Sequence, residues 1–127
     1  SKDLPPLWKN FFSSNVLEKI PNKVSSDIYS IYTEYEKDYM APYTVILGCK
    51  VRHIDDIPEG MIVKEIPAGN YVKYLAKGNL DKGAVPETWK RIWNDNLDRA
   101  YTTDFEVHGA KAQNREDGEV EIFVAVK

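Results

Sequence analysis

Cysteine is nearly absent. Cys49 stands alone in 127 residues, which excludes an intrachain disulfide and a thiolate metal cluster and fits a reducing, cytoplasmic setting. Histidine is almost as scarce: His53 and His108, with Cys49, are too few and too scattered for a zinc-type ligand set, so neither a metal nor another cofactor is expected. Positive charge is not in excess either. Lys and Arg number 17 against 20 Asp and Glu, a formal net charge of −3, and without clustered cations there is little counterion release to draw the chain to a nucleic acid. No apolar run approaches the roughly 20 residues that a bilayer-spanning helix needs, and no apolar signal core opens the chain, so no membrane partner is expected. Gly78 and Gly83 bracket a Lys-rich turn that lacks the glycine-lysine-serine/threonine order of a phosphate-binding loop.

What remains is a chain with 43% hydrophobic residues, enough for one core and short for two, so one domain spanning residues 1–127 is expected. Trp8, Phe11, Phe12, Val16 and Ile20 follow helical spacing, and Pro21-Asn22 ends that pattern. Residues 27–36 and 43–51 read as two strands joined through 37–42. Residues 61–66 alternate, Pro67-Ala68-Gly69 interrupts, and the strand resumes over 71–76. Pro86 and Glu87 suit the first turn of a second helix, with Trp89, Ile92, Trp93 and Leu97 as its buried stripe. Residues 103–110 and 119–126 form a second hairpin about the polar loop 113–118.

The two halves repeat. Trp8-Lys9-Asn10-Phe11-Phe12 can be laid on Trp89-Lys90-Arg91-Ile92-Trp93, Asp27-Ile28-Tyr29 on Asp104-Phe105-Glu106, and Thr44-Val45-Ile46 on Glu121-Ile122-Phe123. Residues 1–54 and 61–127 therefore read as two copies of a helix-plus-hairpin unit. The second copy has a strand before its helix, whereas the first has only residues 1–6 there. A missing first strand leaves a sheet edge unpaired, which invites pairing with another chain and makes a homodimer an expectation.

This order resembles the GyrI-like small-molecule-binding domains, which include the effector-binding domains of AraC- and MerR-type multidrug-responsive transcription regulators. The likeness is carried by Leu7-Trp8 with Phe11, Ile20-Pro21-Asn22, Ile28-Tyr29 to Tyr35-Glu36 with Asp38, Tyr43 to Gly48, Pro58 to Met61, Ile66 to Tyr71, Thr88-Trp89 with Ile92, Asp104-Phe105-Glu106 and Val120 to Val124. The resemblance implies an α+β fold of two pseudo-symmetric βαββ units in one antiparallel sheet, with both helices packed on one side. It also implies a ligand groove between the halves, filled in many relatives by a bulky aromatic cation. Regulators of this kind carry a separate helix-turn-helix domain, for which this sequence has no room, so direct nucleic-acid binding is not expected.

In a two-copy domain the pocket is expected on the pseudo-axis. The matching above sets Glu106 against Tyr29 and Glu121 against Thr44, so that two carboxylates face a hydroxyl pair. Glu121 alternates with Val120, Ile122 and Val124 and falls on the opposite sheet face from them, with Phe123 and Ala125. A carboxylate on a largely apolar strand is costly to desolvate unless paired, and a bound cation is one way to pair it. Tyr29, Tyr32, Tyr35, Tyr71, Trp89, Trp93 and Phe123 supply aromatic faces, which attract a cation by about 0.5–2 kcal/mol. The ligand-binding set is thus Glu106, Glu121, Tyr29, Tyr71, Tyr32, Trp89, Trp93 and Phe123. Glu34, Glu36, Lys37 and Asp38 read as a solvated rim.

The leading expectation is a stand-alone sensor or sequestering domain for hydrophobic or cationic aromatic compounds, without catalysis. A hydrolase of reactive aromatic natural products is an alternative, since a pocket carboxylate beside a tyrosine can act in acid-base chemistry. No nucleophile elbow or triad accompanies it. A gyrase-inhibitor-like protein-binding module is a third reading, for which the modest net charge is a weak imitation of a nucleic acid.

Overall fold

The architecture is α+β, a five-stranded antiparallel sheet with helices on one face. The computed structural model describes residues 4–25, 27–33, 43–52, 57–112, 114 and 116–127. In chain order the elements are α1 (Leu4–Ser13), α2 (Val16–Lys19), β1 (Ile28–Thr33), β2 (Thr44–Gly48), β3 (Asn70–Gly78), α3 (Ala84–Asn94), β4 (Thr103–His108) and β5 (Gly118–Val126). The strands lie in the order β2-β1-β4-β5-β3, and each ladder is antiparallel. The central strand, β4, pairs with β1 from the first half of the chain and with β5 from the second.

Directly opposed residues in such ladders share a face, and successive residues alternate. Ser30 lies opposite Leu47 and Glu106, Glu106 opposite Ile122, and Ile122 opposite Tyr74. One face therefore holds Ser30, Tyr32, Glu106, His108, Val120, Ile122, Val124 and Ala76. Helix α3 covers its β3–β5 side, where Ile92 joins Ala76, Leu80, Ala112, Val120, Ile122 and Val124 in the core. Ile92, Val120, Ile122 and Val124 are fully buried, and a branched apolar side chain buried in this way stabilises by about 1.5–3 kcal/mol. Helix α1 lies over the other half, with Phe11 buried and Trp8 against the His108 ring.

Local chemistry sets the element ends. The Asn79 side chain accepts from the backbone N–H of Asp81 and Lys82, closing a short turn after β3. Gly83 then enters α3 at φ +102°, a conformation that glycine adopts without the Cβ penalty. Gly118 allows a close approach, since a Cβ there would lie 2.5 Å from a Leu80 methyl. Lys23 Nζ donates to the carbonyls of Leu17 and Ile20, satisfying the end of α2.

Three expectations need correction. The first helix does not run unbroken to Ile20: Asn15 adopts a left-handed φ of +54° and separates α1 from α2. The strand expected over 61–76 begins only at Asn70. There β5 ends, with Val126 opposite Asn70, and among the described residues no strand pairs with the preceding ones. Ile62 and Val63 consequently remain exposed. Leu97 lies beyond α3, although it still packs on the core. Among the described residues β2 pairs only with β1, leaving its outer edge open. Tyr35, His53, the first hairpin turn over 37–42 and the rim set of Glu34, Glu36, Lys37 and Asp38 lie outside the described residues.

Candidate functional site

The feature that stands out on the helix-covered face is Glu106, a carboxylate only 3% exposed near the middle of the sheet. Its position in β4 aims it between α1 and α3. Oε2 accepts from the Tyr32 hydroxyl at 2.9 Å and from Trp89 Nε1–H at 2.6 Å, and Oε1 lies 2.8 Å from His108 Nε2. Burial, and then the charge of Glu106, raises the Tyr32 hydroxyl well above the ordinary tyrosine range, so it stays protonated and donates. Among the described residues no Lys or Arg forms an ion pair with Glu106; its one ionisable partner of opposite sign is His108.

Rings from both halves surround this carboxylate. Trp89 meets Tyr32 edge-on at 5.5 Å, Trp8 lies 4.9 Å from the His108 ring, and Phe11 and Phe12 pack around Trp8. Tyr43 meets the far side of Tyr32. A twofold axis through the Ser30–Glu106 pair exchanges Tyr32 with His108, as their register requires. The Trp89–Tyr32 and Trp8–His108 contacts are then images of one another, as the matching of Trp8 to Trp89 implies. Ser30 is fully buried opposite Glu106; its hydroxyl makes no well-formed hydrogen bond among the described residues, although it lies close enough to the Tyr32 hydroxyl to interact with it.

The opposite face carries a second aromatic group. Phe105 stacks on Phe123 at 4.8 Å and on Tyr29 at 6.0 Å, and Tyr71 meets its edge at 5.5 Å. Glu121 lies here, 42% exposed and paired with Lys73, whose Nζ also sits 5.9 Å over the Phe123 ring. Burial raises the Tyr29 and Tyr71 hydroxyls above their ordinary value, and Tyr71 donates to the Pro67 carbonyl.

The eight residues expected to line one pocket therefore divide. Glu106, Tyr32 and Trp89 come together. Glu121, Tyr29, Tyr71 and Phe123 share the other face. Among the described residues Trp93 is not seen in either group: it is 45% exposed on α3, whose Thr88 and Ile92 are buried. The expectation that the two carboxylates together face the hydroxyl pair of Tyr29 and Thr44 is corrected by the register, which sets Glu106 between Ser30 and Ile122 and Glu121 opposite Val107, on the other face. Sequence reasoning passed over Trp8, His108 and Ser30 as site residues. Two signals were available: His108 follows Glu106 by two positions, hence on the same strand face, and Trp8 had already been matched to Trp89.

Two other polar features bear on the choice of site. Asp104, fully buried, accepts from Arg99 Nη2 at 2.7 Å and from the Ala125 backbone N–H at 2.8 Å, while the Arg99 guanidinium lies 4.5 Å over Tyr101. Its charge is answered within the chain. An open polar groove between β3 and α3 is lined by Lys77, Lys82, Glu87 and Arg91 and lies away from Glu106. Among the described residues no cluster of His, Cys, Asp and Glu could hold a metal ion, and no helix is long and apolar enough to cross a membrane.

A five-stranded antiparallel sheet with helices on one face is the fold of a class of small effector-binding proteins. The chain belongs to the Cass2 family of integron-associated effector-binding proteins, whose model matches residues 1–126. It is similar to an integron cassette protein from the mobile metagenome of Vibrio cholerae, whose crystal structure superposes with a TM-score of 0.75 at 29% identity over 98% of this chain and 76% of that one. It is also 26% identical over 127 residues to YobU of Bacillus subtilis (strain 168), a protein whose name assigns it provisionally to transcriptional regulation. That match covers 98% of this chain and 79% of YobU.

Proposed function

We propose that the protein binds amphipathic, cationic aromatic small molecules in the seam between α1 and α3, with Glu106 as the anionic anchor and Trp8, Tyr32 and Trp89 as the ring walls. One observation carries this reading. Glu106 is buried among aromatic rings with no Lys or Arg in an ion pair among the described residues, whereas Asp104, two residues away on the same strand, has Arg99. Burying an ionised carboxylate is costly unless an opposite charge meets it, and a ligand cation meets that need. The aromatic faces add cation–π attraction and stacking.

Within the effector-binding family, the GyrI-like resemblance is the finer form of the same proposal, with residues 1–54 and 61–127 as its two halves. The protein then acts in the cytoplasm as a sensor or sequestering domain without binding nucleic acid directly. Glu121, Tyr29, Tyr71 and Phe123, on the far face, and Trp93, on the flank of α3, lie outside the proposed seam. The open edge of β2 supports a homodimer joined strand to strand, since unpaired backbone groups template pairing with another chain; sedimentation equilibrium of the full chain tests it.

The direct test is calorimetric titration with tetraphenylphosphonium, a permanently charged cation with four aromatic rings. Saturable one-to-one binding, lost in Glu106→Gln and kept in Glu121→Gln, supports the seam. Equal binding by Glu106→Gln and the parent removes it.

A further inference from the structure

The three donors to Glu106 are not equivalent. Oε2 takes two of them, the Tyr32 hydroxyl and the Trp89 indole N–H, and neither group gains a positive charge. Oε1 takes the third, His108 Nε2, the one partner that becomes a cation when it binds a proton. The twofold relation sharpens the contrast, because it places Tyr32 and His108 at matching positions beside Glu106. One wall offers a donor of fixed charge and the other a donor that titrates.

We infer that His108 is the resident counter-ion of the seam and that a cationic ligand takes its place electrically, so that binding expels a proton from His108. This rests on the seam reading above and adds to it a rule for when the site accepts its ligand. Two positive charges within about 4–6 Å of each other in a site of low polarity disfavour one another, while a single carboxylate neutralises only one. With His108 protonated, Glu106 is already paired and an incoming cation must displace that proton. With His108 neutral, Nε2–H still donates to Oε1 and the carboxylate keeps its charge for the ligand. Affinity therefore falls as pH falls through the imidazole range.

The neighbours of His108 bear on the sign. On its own strand it faces Glu106. From β1 it lies opposite Ile28, which carries no charge, while Tyr32 lies beyond Glu106 opposite Asp104; at the entry to β1 the Asp27 carboxylate lies beside Gly109, the next residue after His108. Helix α1 contributes Trp8, its nearby Lys9 being exposed, and α3 contributes the indole of Trp89, so neither helix opposes a charge on the imidazole. Lys111, in the turn after β4, is paired with Glu119. Lys73 and Glu121 are on the far face.

Tetraphenylphosphonium tests this, because its charge does not change with pH. Imidazoles ordinarily titrate near pH 6.5, and one linked proton changes affinity by at most tenfold per pH unit. Titrations of the full chain at pH 5.5 and pH 8, each in two buffers of different ionisation enthalpy, read both affinity and proton count. The expected result is about tenfold weaker binding at pH 5.5, with close to one proton released there and none at pH 8. His108→Gln keeps a neutral N–H donor near the Nε2 position; it is expected to bind at both pH values with nearly equal affinity, and at pH 5.5 more tightly than the parent. If His108→Gln keeps the parent's pH dependence, protonation of another group, Glu106 above all, carries the effect and the inference fails. Binding without proton release at pH 5.5 also overturns it while leaving the seam reading intact. Absence of binding at either pH overturns the seam reading and, with it, this inference.

Discussion

Asp104 and Glu106 stand two residues apart on β4, both nearly inaccessible to water, yet their surroundings treat them differently. Asp104 is held by Arg99, whose charge is fixed at any ordinary pH, and by a backbone N–H from β5. Glu106 is held by a phenol, an indole and an imidazole. The first arrangement balances the charge, although Arg99 Nε and Nη1 find no hydrogen-bond partner among the described residues. The second satisfies the geometry of hydrogen bonding and leaves the charge balance to His108 or to a ligand. Burial alone therefore does not distinguish the two carboxylates; the kind of donor that meets each one does.

The largest effect expected from breaking this contrast is at Asp104. Asp104→Asn leaves the Arg99 guanidinium buried without its counter-charge, and losing one partner of such a pair costs about 3–5 kcal/mol. Urea unfolding should show a loss of that size, with the seam's ligand affinity unchanged in the protein that remains folded. A loss below about 1 kcal/mol would mean that Arg99 finds another partner, contrary to the distinction drawn here.

Next comes Glu106→Gln, which keeps shape and acceptor oxygen and removes the charge. Affinity for tetraphenylphosphonium should fall by at least about tenfold, a difference of about 1.4 kcal/mol. Stability should change less than in Asp104→Asn, since no permanently charged partner is stranded. Calorimetry and urea unfolding on the same preparation compare the two.

Ser30→Ala is expected to act in the opposite direction. A buried hydroxyl with only a poorly formed contact to Tyr32 bears a desolvation cost that a methyl group does not, so stability should rise by up to about 1 kcal/mol, read as a higher urea midpoint. A lower midpoint would show that the hydroxyl has a partner whose loss is felt. The smallest effect belongs to the far face. Glu121→Gln breaks a half-exposed pair with Lys73, worth about 0–1 kcal/mol, and should leave ligand affinity within twofold of the parent.

Much of the fold was legible because alternation and helical spacing are strong local signals. The four hairpin strands and the second helix occur close to where 27–36, 43–51, 103–110, 119–126 and Pro86 place them. The failures have one physical root, which is that partners cannot be read locally. Residues 61–66 have strand alternation, but β5 is exhausted opposite Asn70. Likewise Trp89 and Trp93 look equivalent at a spacing of four, yet only Trp89 faces Glu106.

The candidate site turned on a single step of register. Matching Glu106 to Tyr29 rather than to Ser30 shifts the alignment by one residue, and in a strand that moves a side chain to the other face. The shift joined Glu106 and Glu121 into one imagined pocket. The observed pairing separates them and brings His108 and Trp8 into the seam instead.

The most direct measurement uses the three tryptophans as reporters, one in each helix-borne wall and one outside. In a nitrogen-15 NMR titration with tetraphenylphosphonium, the indole resonances of Trp8 and Trp89 should shift together and saturate at one equivalent, with Trp93 unmoved. Shifts confined to Trp93, or ring resonances of Phe105, Phe123 and Tyr29 moving while Trp8 and Trp89 stay still, would place the ligand elsewhere and contradict Glu106 as its anchor.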